Sequence, residues 1–277
     1  MARPTTLRLA VSALLLGSAL GASLAPAFAA DVYVEDAAPV MTPDERVSMV
    51  FEFGLGGLVS PTYEGSDDYE VSPYPIISLD YLNLPGLFTI GSPTPNTAGG
   101  FSIGPSFGYT SERDENTKLF GLRDVDATYE AGIRVGYEWT YAEVYGEARY
   151  AFGGADGLVG AVGANAIARP TPELELKAGP RATFASEDYM DTYFGVTALE
   201  AVASRGRFSA YDADGGFKTV GAAASARYEF RPDWFLNAQG SYERLVGDAE
   251  DSPIVKAGSA DQFTVGLGLS KRFTLDF

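Results

Sequence analysis

The sequence predicts an all-β protein: an antiparallel transmembrane β-barrel of about ten strands, with short periplasmic turns and long extracellular loops. Three observations carry this. The chain is a succession of segments of ten or more residues in which apolar and polar side chains alternate with a period of two. After the N-terminal leader, no stretch approaches the ~20 uninterrupted apolar residues of a membrane helix. Glycine (32) and Tyr plus Phe (16 and 17) are abundant while mean hydropathy is near zero, as expected of a barrel with a polar interior and aromatic girdles. A closed barrel can span a membrane because every backbone group pairs with a neighbouring strand.

The first 29 residues read as a secretory leader. Arg3 and Arg8 start it, an apolar run follows, and Ala27-Phe28-Ala29 fits the small-x-small cleavage rule, so cleavage is expected after Ala29. Residues 30–46, acidic and bearing Pro39 and Pro43, read as a periplasmic lead-in, with a docking peptide as the alternative. Residues 47–277 form the predicted barrel.

Its first strand is expected near 47–59, with Met49, Phe51, Phe53 and Leu55 on one face and Ser48, Glu52, Gly54 and Gly56 on the other. A polar loop with turn chemistry spans 61–69. A second strand covers about 71–83 and places Pro73 and Pro75 near its start. Residues 84–95 are ambiguous, because Phe88 and Ile90 either continue that strand or form a short one. Strands near 100–111 and 126–139 follow, then 142–152 beyond a tight turn at Thr140. Strands at 157–169 and 173–185 are joined through Arg169-Pro-Thr-Pro172. Residues 186–216 read as the longest irregular stretch. Strands near 217–230 and 233–245 flank the turn at 231–233, and 246–261 read as a polar loop.

In the last strand Phe263, Val265, Leu267, Leu269, Phe273, Leu275 and Phe277 share a face, interrupted only by Lys271. A terminal aromatic on such a strand resembles the assembly signal of bacterial outer-membrane barrels. A soluble sandwich would also alternate, but it needs neither strands this long nor that aromatic. Counting ten strands puts the three tight turns on one side and the long loops on the other. Adding strands at 86–91 and 193–200 gives the alternative count of twelve.

Charge and composition restrict function. The formal charge is −17, and removing the leader leaves 18 basic against 37 acidic residues. That argues against nucleic acid and permits basic partners or divalent cations. The chain has no histidine and no cysteine. It therefore lacks Ser-His and Cys-His pairs, imidazole acid–base chemistry, thiolate or imidazole zinc sites, disulfides and a lipid-anchoring thiol. A non-enzymatic protein without a cofactor is expected.

The polar strand faces carry charges of both signs: Glu130, Arg134, Glu138, Glu143, Glu147, Arg149, Lys177, Arg181, Arg227, Glu229 and Glu243, together with Gln239. In a lumen about ten strands wide these side chains are expected to pair and hold the barrel closed, with a small-solute pore as the other reading. No single-sign constriction ring is visible. Two acidic clusters, Glu64/Asp67/Asp68 and Asp248/Glu250/Asp251, lack EF-hand spacing and read as solvated loops, with cations shared with lipopolysaccharide as the alternative.

The loop sequences resemble the MipA/OmpV family (MltA-interacting protein). Pro61-x-Tyr63-x-Gly65-Ser66 with Pro73-x-Pro75 resembles its first signature, and Leu119-x-Gly121-Leu122 with 125–132 its central motif. Tyr189-Met190-x-x-Tyr193-Phe194-Gly195-Val196 is the most specific match, and Leu245 with Ser252-Pro253-Ile254-Val255 resembles the penultimate-loop motif. The tail departs from the pattern, because Lys271-Arg272-Phe273 precedes a further Thr-Leu-Asp-Phe277. The resemblance implies a Gram-negative outer-membrane protein surrounded by lipid and lipopolysaccharide and inserted by the barrel assembly machinery. It also implies a scaffold between a lytic transglycosylase and a bifunctional murein synthase. Porin-like, osmotic-stress and adhesin roles are the family's other readings. It implies no catalytic residues. The motif residues shape loops, with recognition as their other role.

Overall fold

The computed structural model describes residues 48–114 and 118–277. The leader, its cleavage site and the whole acidic segment that follows lie outside the described residues. Eleven strands form one antiparallel sheet: β1 (Ser48–Pro61), β2 (Tyr69–Leu84), β3 (Phe88–Gly91), β4 (Gly100–Thr110), β5 (Thr128–Glu138), β6 (Ala142–Gly153), β7 (Gly157–Thr171), β8 (Leu174–Ala185), β9 (Gly216–Arg231), β10 (Trp234–Leu245) and β11 (Asp261–Asp276). Their order is β3-β2-β1-β11-β10-β9-β8-β7-β6-β5-β4. The first long strand therefore pairs with the last, from Ser48↔Asp276 to Val59↔Val265. The two ends of the sheet come alongside each other, giving a nearly closed barrel.

The strand count is eleven rather than the preferred ten. The addition is the short β3 in the ambiguous stretch, which folds back on Tyr81–Leu84. The proposed strand at 193–200 is helical instead: α1 (Glu187–Phe194) and α2 (Ala198–Ala203) occupy the loop read as irregular. The spacing of Tyr189, Met190, Tyr193 and Phe194 suits one helix face and all four are buried, a period a strand cannot satisfy. The loop read as polar holds α3 (Asp248–Asp251) and α4 (Pro253–Lys256), the latter started by Pro253 and by Ser252, whose side chain accepts from the Ile254 amide.

Alternation assigns the two faces. Phe53, Leu55, Val265, Leu267 and Leu269 are half exposed or more on the outside, while Glu52, Ser270 and Arg272 are buried inside. In water this outer belt would be a large exposed apolar surface; in lipid it is the matching one. Aromatic rings mark its rims: Tyr109, Tyr129 and Phe152 pack in a row at the long-loop end, and Tyr137 packs with Trp139 at the other. Lys271, the one charge on the apolar face of β11, lies 5.4 Å from the Trp234 ring and 5.3 Å from that of Phe273, a position from which its ammonium reaches the membrane interface. No described helix is long and apolar enough to cross a membrane, which says nothing against crossing by strands.

Where β1 meets β11, glycine is required. A Cβ at Gly54 or Gly56 would lie 2.3 or 2.2 Å from the carbonyl oxygens of Leu269 or Leu267. Phe277 follows β11 and is exposed.

Leu267 sits at mid-strand on the outer face, so Leu267→Arg is expected to destabilise the barrel by about 2–4 kcal/mol in equilibrium unfolding from lipid vesicles. A cost below about 1 kcal/mol would place this face in water or at the interface.

Candidate functional site

The barrel encloses a cavity of about 950 Å³ that runs past both walls and reaches the loops. Every charge expected inside from alternation at Glu130, Arg134, Glu147, Arg149, Lys177, Arg181, Arg227 and Glu243 lines it. On the β5–β8 wall they form a continuous ladder. Lys177 lies 2.6 Å from Glu138 and 3.4 Å from Glu143; Arg134 bridges Glu143 (2.8 Å) and Glu147 (2.6 Å). Arg149 pairs with Glu147 and lies 2.8 Å from Glu130. The Arg134 guanidinium also lies 3.6 Å over the Tyr145 ring. Arg181 reaches Glu243 at 3.6 Å. Glu229, also read as facing inward, instead accepts from the Asp233 amide at the short-turn end.

A second group lies on the opposite wall. Arg227 pairs with Glu52 and donates to Asn96 at 2.9 Å, with its guanidinium 3.6 Å over the buried Phe235 ring. Arg272 lies 3.1 Å from Asp80. Glu52 and Arg272 were legible from alternation. So was Asp80, which continues the inward run of Ser72, Tyr74, Ile76 and Ser78 and accepts from the Ser78 hydroxyl at 2.7 Å. Asn96 was not, because it belongs to the loop between β3 and β4. That loop crosses the short-turn mouth: Asn96 donates to the Pro172 carbonyl at 3.0 Å on the far side, and Arg272 holds the Ser92 carbonyl at 3.1 Å.

The long-loop mouth is covered by a packed cap. Tyr189, Met190, Tyr193 and Phe194 of α1 join Val125, Leu245, Ala249 and Val255 in one apolar cluster; Tyr63, Leu119, Leu122, Val196, Phe208 and Ile254 form a second. Gly65, at φ 91°, packs where its Cβ would lie 2.7 Å from Val255, a conformation and a space suited to glycine. Ser66 and Ser252 are fully buried, and the Ser252 hydroxyl donates to the Phe194 carbonyl at 2.6 Å. Gly195 is buried as well, and Pro61 and Pro253 are partly so. The loop motifs thus meet one another inside the cap, where most of their side chains are buried.

The cap is tied to the lumen through polar groups. Tyr189 donates to Glu64 at 3.0 Å and lies 3.4 Å from Glu130, while Lys218 pairs with Glu64 at 2.5 Å. Burial, then the carboxylates of Glu64 and Glu130, push the Tyr189 phenol well above its ordinary range, so it remains a neutral donor. Arg113 is buried and donates to the Tyr193 carbonyl at 2.7 Å; burial lowers its pKa. The acidic clusters are engaged as well: Asp67 and Asp68 lie 2.6 and 2.8 Å from Lys118, and Glu250 lies 2.6 Å from Arg244. Among the described residues no group of three carboxylates is set to hold a metal ion. A separate outer hollow of about 830 Å³ is lined by Asp126, Asp156, Asp188, Asp191, Asp212 and Asp214 among others.

The family described as MltA-interacting protein MipA matches residues 53–273. The chain belongs to the MipA family. Among relatives, it is 36% identical over 91 residues to the outer membrane protein Omp26La of Vibrio anguillarum, and 35% identical over 91 residues to the outer membrane protein OmpV of Vibrio cholerae. Each alignment covers 33% of this chain and 33% of the relative, so about a third of either curated relative is matched. Solved structures similar in outline include the NanC porin (8% identity, TM-score 0.35, 81% of this chain and 98% of that one). Another is OmpT of Vibrio cholerae (7% identity, TM-score 0.30, 85% and 100%). Family membership and the lipid-facing barrel together place the protein in the outer membrane.

Two outcomes test this geometry. Arg149→Met strands the buried carboxylate of Glu130 and leaves Glu147 to Arg134 alone, and is expected to cost about 3–5 kcal/mol in unfolding. The double change Arg149→Met/Glu130→Gln should cost less than the sum of the single ones. In the cap, burial opposes ionisation of Glu200. Hydrogen bonds from the Thr197 hydroxyl and from the Arg123 and Thr197 amides outweigh it and hold the carboxyl below its usual 4.5. Its contribution is therefore complete above pH 4.5 and is lost as pH falls through the depressed value. Amide protection of α2 should fall as pH drops below 4.5 through the depressed value, and Glu200→Gln should flatten that dependence.

Proposed function

We propose that the protein is a non-enzymatic scaffold that holds a lytic transglycosylase and a bifunctional murein synthase against the periplasmic face of the outer membrane, for peptidoglycan remodelling. The family description, MltA-interacting protein, supports the first of these partners. The observation that carries the reading is the loop at 92–99. Two- or three-residue turns offer little docking surface, but this loop spans the periplasmic mouth and is fixed at Pro172, Arg227 and Arg272. Beside it the exposed side chains of Leu87 and Tyr141 project at the same end. An ordered platform with apolar anchors at its margin is what a protein partner requires.

The interior supports a structural rather than a conducting role. Its charges are largely paired, and both mouths are crossed by packed chain, which weighs against an axial pore for small solutes. The loop motifs serve the cap's own packing, which weighs against an adhesin that reads its ligand through them.

The test is affinity capture from a detergent extract of the cell envelope on the immobilised, refolded protein, with an unrelated barrel as control. Recovery of a transglycosylase or murein synthase is expected. Replacing residues 93–98 by a Gly/Ser linker should weaken recovery about tenfold, the equivalent of ~1.4 kcal/mol. Recovery of neither enzyme above the control, or equal recovery by the loop variant, would overturn the docking assignment.

A further inference from the structure

We propose that the gap between β2 and β4 is a lateral portal, through which a single-chain amphiphile enters the lumen from the outer membrane with its acyl chain in the gap and its polar end among the lumen charges. This is independent of the scaffold reading and assigns the cavity a use of its own.

The starting observation is where the sheet ends. Among the described residues β2 pairs with β1 along its length but with β3 only at Tyr81–Leu84, and β4 pairs with β5. Facing edges at about 70–80 and 100–110 therefore lie side by side without a shared ladder. The sequence explains why. A proline inside a paired strand is accommodated with its nitrogen turned to the free edge. Pro73 and Pro75 are paired with Gly57 and Leu55 of β1, and Pro105 with Ile133 of β5. Each therefore presents a missing donor to the gap, and a continuous ladder cannot form.

In hydrocarbon an unpaired edge is costly, and irregular backbone at membrane depth is tolerated where it is buried in protein or lines a water-filled cavity. That is the arrangement here. The cavity extends between the two strands, so that outward-facing Pro73, Pro75, Ile77, Ile103, Pro105 and Phe107 line it as well as inward-facing residues. The gap is bounded at the extracellular end by a Ser111–Glu70 hydrogen bond, and at the periplasmic end by Gly99 packed on Gly91. With the cap and the 92–99 loop across the two mouths, the side of the barrel is the route left to the lumen.

The chemistry of the two sides points to the ligand. Behind the gap, β4 turns only Ser102, Gly104, Ser106, Gly108 and Thr110 inward, leaving room. The adjoining wall carries an apolar stretch above the Glu52–Arg227 group: Ile76 and Leu58 lie over Gly268 and Gly266, where a Cβ would approach them to 2.7 and 2.9 Å. The far wall is the charged ladder, and buried Arg181 Nε and Glu64 Oε2 have no hydrogen-bond partner among the described residues. A chamber of this volume with an apolar stretch beside the gap and charges deeper in, opening into lipid, fits a molecule with a chain and a small polar head.

The chain has no cysteine, and the Cβ of Leu79 lies 4.0 Å from a Cβ built at Gly104, within the span of a disulfide. The double variant Leu79→Cys/Gly104→Cys therefore staples the gap reversibly. In phosphatidylcholine nanodiscs, dansylated lauric acid should bind the wild type and the reduced variant saturably. Oxidation should weaken binding at least about tenfold, and reduction should restore it. A second variant, Pro73→Val/Pro75→Val/Pro105→Val, returns the missing donors and should weaken binding in the same direction without any crosslink. Amide exchange in the wild-type nanodisc should be fast at Ile77, Phe101 and Ile103, whose N–H groups face the gap, relative to β8. No saturable binding to the wild type, equal binding with the gap stapled and free, or strong amide protection of both edges would overturn the portal.

Discussion

Everything in this molecule answers to one constraint: in hydrocarbon no water is present to satisfy a backbone amide or carbonyl. A chain without a long apolar helix meets it only by pairing strand to strand around a ring. The pairing of β1 with β11 brings the first and last strands together, and glycines at 54 and 56 let the two backbones approach. Once the ring forms, alternation does the rest. One set of side chains must meet lipid, and the other is confined to a narrow interior.

That confinement decides the electrostatics. Charged side chains inside the ring cannot be left alone, so acids and bases interleave from Lys177 up to Arg149 and again around Arg227. At the extracellular end the same logic continues into the cap through Lys218, Glu64 and the neutral phenol of Tyr189. Loops that look like independent surface features are thereby fastened to the barrel, and their aromatic residues become its lid.

The pairing rule also shows where the ring is incomplete. Three prolines fall on facing edges, and residues of both edges line the lumen cavity there. The periplasmic side is unusual in a different way, since a loop anchored by Asn96 supplies an ordered surface that tight turns would not. The two features lie on different surfaces, so a docking role and a lipid-facing role do not compete for the same residues.

The sequence by itself determined the class of fold, the position of nearly every long strand and the inward direction of Glu130, Arg134, Arg149 and Arg181. These follow from a period of two, which is local and survives without knowledge of neighbours. It also bounded the chemistry, through the missing histidine and cysteine. Only the tertiary structure decided that the motif tyrosines pack against one another, that Asn96 crosses the mouth, and that a short β3 folds back on the end of β2. Each depends on contacts between separate segments of the chain. A loop's packing partner, the fold-back of a short strand and the meeting of two sheet edges leave no periodic trace in the residues that make them.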